Sequence, residues 1–226
     1  LTFTVDPDNP YFYSEGGALY GKNNKELLFA RNVENFTVAE GAKSVNTSAF
    51  NGFKNLKTVV LPEGMVFVGD FAFYGCTNLK SVTLPSTVRE IRDSAFDGCS
   101  SLSSITVPDG TYYVGKSAFE GCSSLTDAVL PDSVMSIESS AFKGCASIKH
   151  FKIPENAAYL GKSAFDGCSS LKRIVIPAML CSVEDGAFSG CSSVKSISFL
   201  GSKPVMKGNA FNLGAKGNVT VFAATI

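Results

Sequence analysis

The sequence predicts a solenoid: a right-handed coil of about eight short, β-rich turns of chain, with a parallel sheet along one face. Three observations predict it. The nonapeptide SAFDGCSSL occurs at residues 94–102 and again at 163–171, with SAFEGCSSL between them at 117–125. An Ala-Phe pair recurs with Phe at 50, 73, 96, 119, 142, 165, 188 and 211, always 23 residues apart. An apolar pattern, L-x-x-V-x-L-P, keeps the same phase. Self-similarity at a fixed period of roughly 20–50 residues marks a stacked-repeat architecture.

In chain order, the first 32 residues stand outside the period. Phe3 and Val5 alternate with polar neighbours and predict a short strand. The run D-P-D-N at 6–9 carries two carboxylates but lacks the other ligands of a calcium loop, and it reads better as an Asp/Pro turn. Ala18-Leu19-Tyr20 and Leu27-Leu28-Phe29 flank Gly21-Lys22-Asn23-Asn24 and predict a hairpin.

Residues 33–211 carry the array. Leu79, Val82, Leu84 and Pro85 stand for each repeat. The alternation Val82-Thr83-Leu84 predicts a short strand with one buried face, and proline, with no N–H for the ladder, ends it. Six residues past each proline lies another apolar residue (Val68, Ile91, Val114, Ile137, Leu160, Val183), which marks a second extended segment. S-A-F-x-G-C then makes the corner, where Gly75, Gly98, Gly121, Gly144, Gly167 and Gly190 suit positive φ. One repeat cannot bury its apolar side, but stacked repeats cover one another. Paired strands lie about 4.7–4.9 Å apart, so the eight Phe rings form one stack along the coil. The last repeat slips: Val219 and Val221 follow Ile197 and Phe199 by 22 residues instead of 23. Residues 212–226 therefore read as a C-terminal cap strand or a truncated repeat.

Six of the seven cysteines share one repeat position: Cys76, Cys99, Cys122, Cys145, Cys168 and Cys191. A metal ladder or a disulfide staple is the sharper reading and packing the plainer one. Phe53 fills the position in the first repeat, no C-x-x-C or nearby His supplies zinc spacing, and parallel side chains seldom reach disulfide geometry. Buried free thiols are expected. Cys181 lies off this column.

The 20 basic and 20 acidic residues cancel, so no global field draws in nucleic acid or an anionic membrane. There is no apolar run long enough to cross a bilayer, and no membrane insertion is expected. The chain opens at Leu1 without a signal peptide and reads as a fragment or processed piece of something longer. His150 is the single histidine. No G-x-S-x-G, P-loop, H-E-x-x-H or G-x-G-x-x-G occurs, so neither catalysis nor a cofactor or metal is expected. Sequons at Asn35, Asn46 and Asn218 matter only in a host that glycosylates.

The variable letters are the outward ones. Three columns flank the buried strand positions. One runs Lys57, Lys80, Ser103, Thr126, Lys149, Lys172, Lys195; the next Thr58, Ser81, Ser104, Asp127, His150, Arg173, Ser196. The third runs Thr37, Val60, Thr83, Thr106, Val129, Lys152, Val175, Ser198. Lys149, His150, Lys152, Lys172, Arg173 and Lys195 fall on three consecutive coils and are the candidate partner-binding residues. Glu63, Asp109, Asp132 and Glu155 follow the prolines and predict an acidic edge. A basic patch of this kind fits an acidic protein surface, a sulfated glycan or another anionic polymer; lysines on an exposed sheet also keep it soluble. Tyr112, Tyr113 and Tyr159 are expected on the opposite side.

L-x-x-V-x-L-P followed by V-x-x-I-x-x-S-A-F-x-G-C-S-S-L resembles the BspA-like leucine-rich repeats over about residues 33–211. The resemblance implies a leucine-rich-repeat solenoid with short turns or 3-10 segments at its corners, and residues 1–32 as a hairpin-containing N-terminal cap or inter-array module. The Asn ladder of ordinary leucine-rich repeats is missing. The resemblance also implies a secreted or cell-surface location, adhesion to extracellular or host matrix proteins, and no shared catalytic residues. A passive spacer that presents other domains of a longer surface protein is the alternative.

Overall fold

The structure, a computed structural model, describes residues 2–215 and 217–223. Leu1, Lys216 and residues 224–226, which the expected cap and terminal segments include, lie outside the described residues. Chain entry is a meander of β1 (Phe12–Glu15), β2 (Ala18–Gly21) and β3 (Glu26–Phe29), paired antiparallel. Before it, Asp6 Oδ1 accepts the Asp8 N–H at 2.9 Å, and Asn9 Oδ1 accepts the N–H groups of Tyr11 and Phe12 at 2.9 Å. The D-P-D-N run is thus a turn whose side chains serve their own backbone.

From β3 onward every pairing is parallel, coil upon coil. The second extended segments, two residues each from Ser44–Val45 to Val205–Met206, join the meander in one continuous eleven-stranded sheet. Their inward column (Val45, Val68, Ile91, Val114, Ile137, Leu160, Val183) is uniform in size and fully buried. The L-x-x-V-x-L segments, from which the main sheet was expected, form three separate pieces. Asn35–Thr37, Thr58–Val60 and Ser81–Thr83 make one, Ser104–Thr106 and Asp127–Val129 another, and Arg173–Ile176, Ser196–Phe199 and Thr220–Ala223 the third.

The core runs unbroken between these faces. Rings 50, 73, 96, 119, 142, 165, 188 and 211 stack with centroids 4.8–5.5 Å apart and planes within 13° of parallel. All seven cysteines are free, six of them buried. Each of those six thiols donates to the carbonyl of the Phe in the coil before, at 2.9–3.2 Å (Cys99 Sγ to Phe73 O, 3.1 Å, for example). A small apolar residue with a weak donor satisfies a buried acceptor there.

The corners add a further inter-coil ladder. Phe96 N–H donates to Ala118 O at 2.8 Å and Gly98 N–H to Glu120 O at 2.7 Å, both in the next coil. Forming it takes positive φ twice per corner, at the glycine (Gly98, 72°) and at the preceding serine (Ser94, 53°). Phe71 holds the serine position at φ 55° in its coil, exposed and packed edge-on against Tyr74.

The outer face of the continuous sheet repeats every second coil. Phe67, Tyr113 and Tyr159 stand two residues before Gly69, Gly115 and Gly161, while the coils between carry Glu90/Arg92, Ser136/Glu138 and Ser182/Glu184. A Cβ on Gly115 would lie 2.5 Å from Asp93 Oδ1 and 2.8 Å from the Arg92 carbonyl carbon, so this position admits no side chain. Arg92 reaches back over the Phe67 ring at 3.8 Å.

The terminal strand corrects the expected slip. Thr220 pairs with Ser196 and Val221 with Ile197, a step of 24 residues and not 22. A shift of two residues leaves the same side chains facing inward, so alternation cannot choose between the two registers. The backbone does: Thr220 N–H donates to Lys195 O at 2.9 Å.

Candidate functional site

The split face carries the outward columns. Around each buried residue its neighbours point to solvent, as in Ser104–Thr106, where Ile105 alone is buried. Lys149, His150, Lys152, Lys172, Arg173 and Lys195 are all exposed on this face. Their backbones tie them together: Lys172 N–H donates to Lys149 O at 3.1 Å and Lys195 N–H to Lys172 O at 2.9 Å. Arg173 opens its strand opposite Ser196. The three lysines therefore occupy successive rungs, about 4.7–4.9 Å apart at the backbone.

Ion pairing sets Lys152 apart from the other cations. Lys152 lies 3.2 Å from Asp132 and 3.1 Å from Glu155, so the acidic edge neutralises it. Those contacts, with Glu155 first, raise its pKa. Asp132 is held below the usual carboxylate range by the Glu155 N–H and then by Lys152. Lys57, in the same column as Lys149, is likewise paired, with Glu34 at 2.9 Å. Among the described residues, Lys149, Lys172, Arg173 and Lys195 have no carboxylate within ion-pair distance.

The patch lies where the sheet is interrupted. Residues 150–152 belong to no strand. Their inward residue is Phe151, where neighbouring coils have Ala128 and Ile174. The ring wedges edge-on between Phe142 (4.9 Å) and Phe165 (4.7 Å) and stays half-buried. The interruption at this ring is not a matter of side-chain size alone: Phe36 pairs regularly with Val59 in the same column, and the sheet also breaks between the matched Val82 and Ile105. At the interruption lies a cleft of about 430 Å³ with an apolar floor of Ala128, Leu130 and Phe151. Val129 and Val175 wall it; His150, Lys152 and Arg173 also line it, as does the carboxylate of Asp127, which stands in the same outward column as His150 and Arg173. Beside it, a polar hollow of about 540 Å³ is bordered by Lys172, Lys195, Ser192, Ser193, Asn218 and Thr220. A third hollow, about 390 Å³, fills the other interruption between Ser81–Thr83 and Ser104–Thr106; serines and threonines line it together with Val82, Leu84, Ile105 and Pro108, and no cation does.

Sequence reasoning named the basic residues but not the cleft. The step from Ala128 to Phe151 was visible in the letters, but Phe36 in the same column pairs regularly with Val59, so the step alone does not mark a cleft. The tyrosines lie on the other face, as expected, and serve the protein itself. Tyr112 Oη donates to Glu90, and Tyr113 Oη to Asp93 at 3.1 Å. Burial first, then Asp93, pushes Tyr113 up to about 12. Among the described residues, no group of three or more His, Cys, Asp or Glu is arranged to hold a metal ion, and no helix is long and apolar enough to cross a membrane.

The profile of the BspA type leucine-rich repeat region matches in six copies, over residues 24–135 and 90–216. The chain belongs to the BspA-type leucine-rich-repeat family. Solved structures share its fold. A leucine-rich cell surface protein of Faecalibacterium prausnitzii A2-165 superposes with a TM-score of 0.59 at 23% identity, over 97% of this chain and 78% of that one. The pneumococcal vaccine antigen PcpA gives 0.64 at 21% identity, over 98% of this chain and 50% of its own. The leucine-rich-repeat protein of T. pallidum gives 0.56 at 23% identity, over 97% and 86%. This BspA-type chain thus spans half of the pneumococcal antigen. No curated protein matches it by sequence.

Proposed function

We propose that the chain is a non-catalytic binding module of a secreted or cell-surface protein, acting in adhesion to host or matrix components through the split strand face. One observation carries the reading: four cations without ion-pair partners among the described residues gather on three consecutive coils of a chain whose net charge is zero. Nothing in the fold requires them there, because the same columns hold Ser103, Thr126 and Ser104 in other coils. A cell-surface protein among the similar structures supports the location.

The test is binding of the purified chain to a panel of matrix proteins and proteoglycans at low and high salt. Alongside it runs a variant carrying Lys149→Glu, Lys152→Glu, Lys172→Glu and Arg173→Glu. Salt-sensitive binding that the variant loses supports the reading, since exposed charges are screened beyond about 8–10 Å at physiological salt. Equal binding by both proteins, or none by either, puts the passive spacer in its place.

A further inference from the structure

We infer that the partner of this face is an anionic glycan: a linear chain laid across successive coils, with an N-acyl group over the Phe151 cleft and its acid groups on Lys172, Arg173 and Lys195. This rests on the reading of the split face as a binding surface and names the ligand class.

The residue types select it first. Protein–protein interfaces centre on Trp, Tyr and Arg, and Lys is depleted in them. Here three of the four free cations are lysines, and the chain contains no Trp. Tyr112, Tyr113 and Tyr159 lie on the opposite face, the first two bonded to Glu90 and Asp93. A flexible, strongly hydrated ammonium suits acid groups that stay hydrated themselves.

Spacing selects it next. Cations on consecutive rungs repeat every 4.7–4.9 Å or so along one axis. A linear polymer with regularly placed acid groups meets such a row in successive registers. A folded protein presents its carboxylates at fixed, irregular positions.

The two hollows supply the rest. The cleft floor of Ala128 and Phe151, walled by Val175, takes a small apolar substituent such as an acetamido methyl. Arg173 in its lining offers a planar fork to a carboxylate or sulfate. The adjoining hollow sets hydroxyls (Ser192, Ser193, Thr220) and the Asn218 amide beside Lys172 and Lys195, a mixed donor and acceptor lining for sugar hydroxyls. The uncharged hollow at Ser81 and Ser104 shows that an interruption of the sheet does not by itself bring cations with it.

The experiment is calorimetric titration of the whole chain with four probes. Heparin oligosaccharide is sulfated, hyaluronate carries N-acetyl and carboxylate, chitin oligosaccharide carries N-acetyl without charge, and polyglutamate is an acidic peptide. Heparin, hyaluronate or both bind, and chitin and polyglutamate bind at least about tenfold more weakly. Heparin alone, being largely N-sulfated, keeps the anionic-glycan assignment but overturns the N-acyl group over the cleft; hyaluronate binding shows that carboxylate and N-acetyl groups suffice. The pair Lys172→Glu and Arg173→Glu removes the binding with the melting temperature unchanged. Val129→Phe puts a larger side chain into the lining of the cleft and lowers affinity about tenfold with every charge retained. Polyglutamate binding as tightly as the glycans overturns the glycan assignment and leaves the binding reading standing. Failure of both glycans to bind also overturns it, and the matrix-protein panel then decides the broader reading alone.

Discussion

Phe119 lies at the middle of the ring stack, fully buried, between Phe96 at 5.3 Å and Phe142 at 5.1 Å. Phe119→Leu keeps an apolar side chain of similar bulk but removes both ring-on-ring contacts. Each such contact contributes about 0.5–1.5 kcal/mol beyond burial, so the pair contributes about 1–3 kcal/mol. Imperfect refilling of the ring's volume adds about 1 kcal/mol, for a total near 2–4 kcal/mol. Phe211→Leu is the comparison. That ring is half-buried and stacks on a single neighbour, Phe188, at 5.2 Å. Its loss costs about half as much. In a stacked array stability is a sum of coil terms and nearest-neighbour terms, so the central change also weakens the coupling between the two halves. Urea denaturation followed by circular dichroism reads both effects. The expected result is a central variant shifted about twice as far as the terminal one, with a broadened transition. Equal shifts, or a central cost below about 0.5 kcal/mol, would refute the claim that the ring stack holds the coils together.

Three further outcomes follow from the packing. In native protein one thiol per chain, Cys181, reacts promptly with a thiol reagent, and the six buried ones react only on unfolding. Burial pushes Cys76 up to about 11 and Cys145 and Cys191 to about 12, which leaves almost no thiolate at neutral pH; fast reaction of more than one thiol contradicts this. Gly115→Ala forces a Cβ against the Arg92–Asp93 backbone and costs about 1–3 kcal/mol, measured by urea denaturation. Burial, with Glu120 alongside, pushes Asp97 up to about 6. A carboxyl raised in this way stabilises the fold while protonated, and that stability is lost as pH rises from about 4 through 6. Asp97→Asn therefore raises stability at neutral pH by about 1 kcal/mol after allowance for solvent screening, and the gain fades toward pH ~4. A gain that is constant with pH would exclude the carboxyl as its source.

What could be read from the sequence was whatever the period repeats. The phase of Phe50 through Phe211 and of Cys76 through Cys191 fixed which residues are buried, because a stacked coil buries the same position each time. Single departures from the pattern were harder. Phe151 reads as one more apolar residue, yet it lies where the sheet is interrupted and its ring lines the cleft beside the basic patch. Val219 and Val221 fit a 22- or a 24-residue step equally well, since both keep the inward face. The positive φ of Ser94 and its equivalents carries no side-chain signature, unlike that of Gly98. The basic residues were legible individually. That Lys152 is neutralised by Asp132 and Glu155 while Lys149, Lys172, Arg173 and Lys195 are not depends on distances between coils. The alternation of Phe67, Tyr113 and Tyr159 with Glu90, Ser136 and Ser182 was visible in the letters, and its cause, the close backbone approach at Gly69, Gly115 and Gly161, was not.

Lysine acetylation footprinting, with and without a bound anionic glycan, tests the central claim most directly. Lys149, Lys172 and Lys195 on the split face should be protected, while Lys116 and Lys162, which follow the strands of the continuous sheet, should keep their reactivity. Protection confined to Lys116 and Lys162, or spread evenly over all five lysines, would contradict the assignment of binding to the outward residues of the interrupted coils.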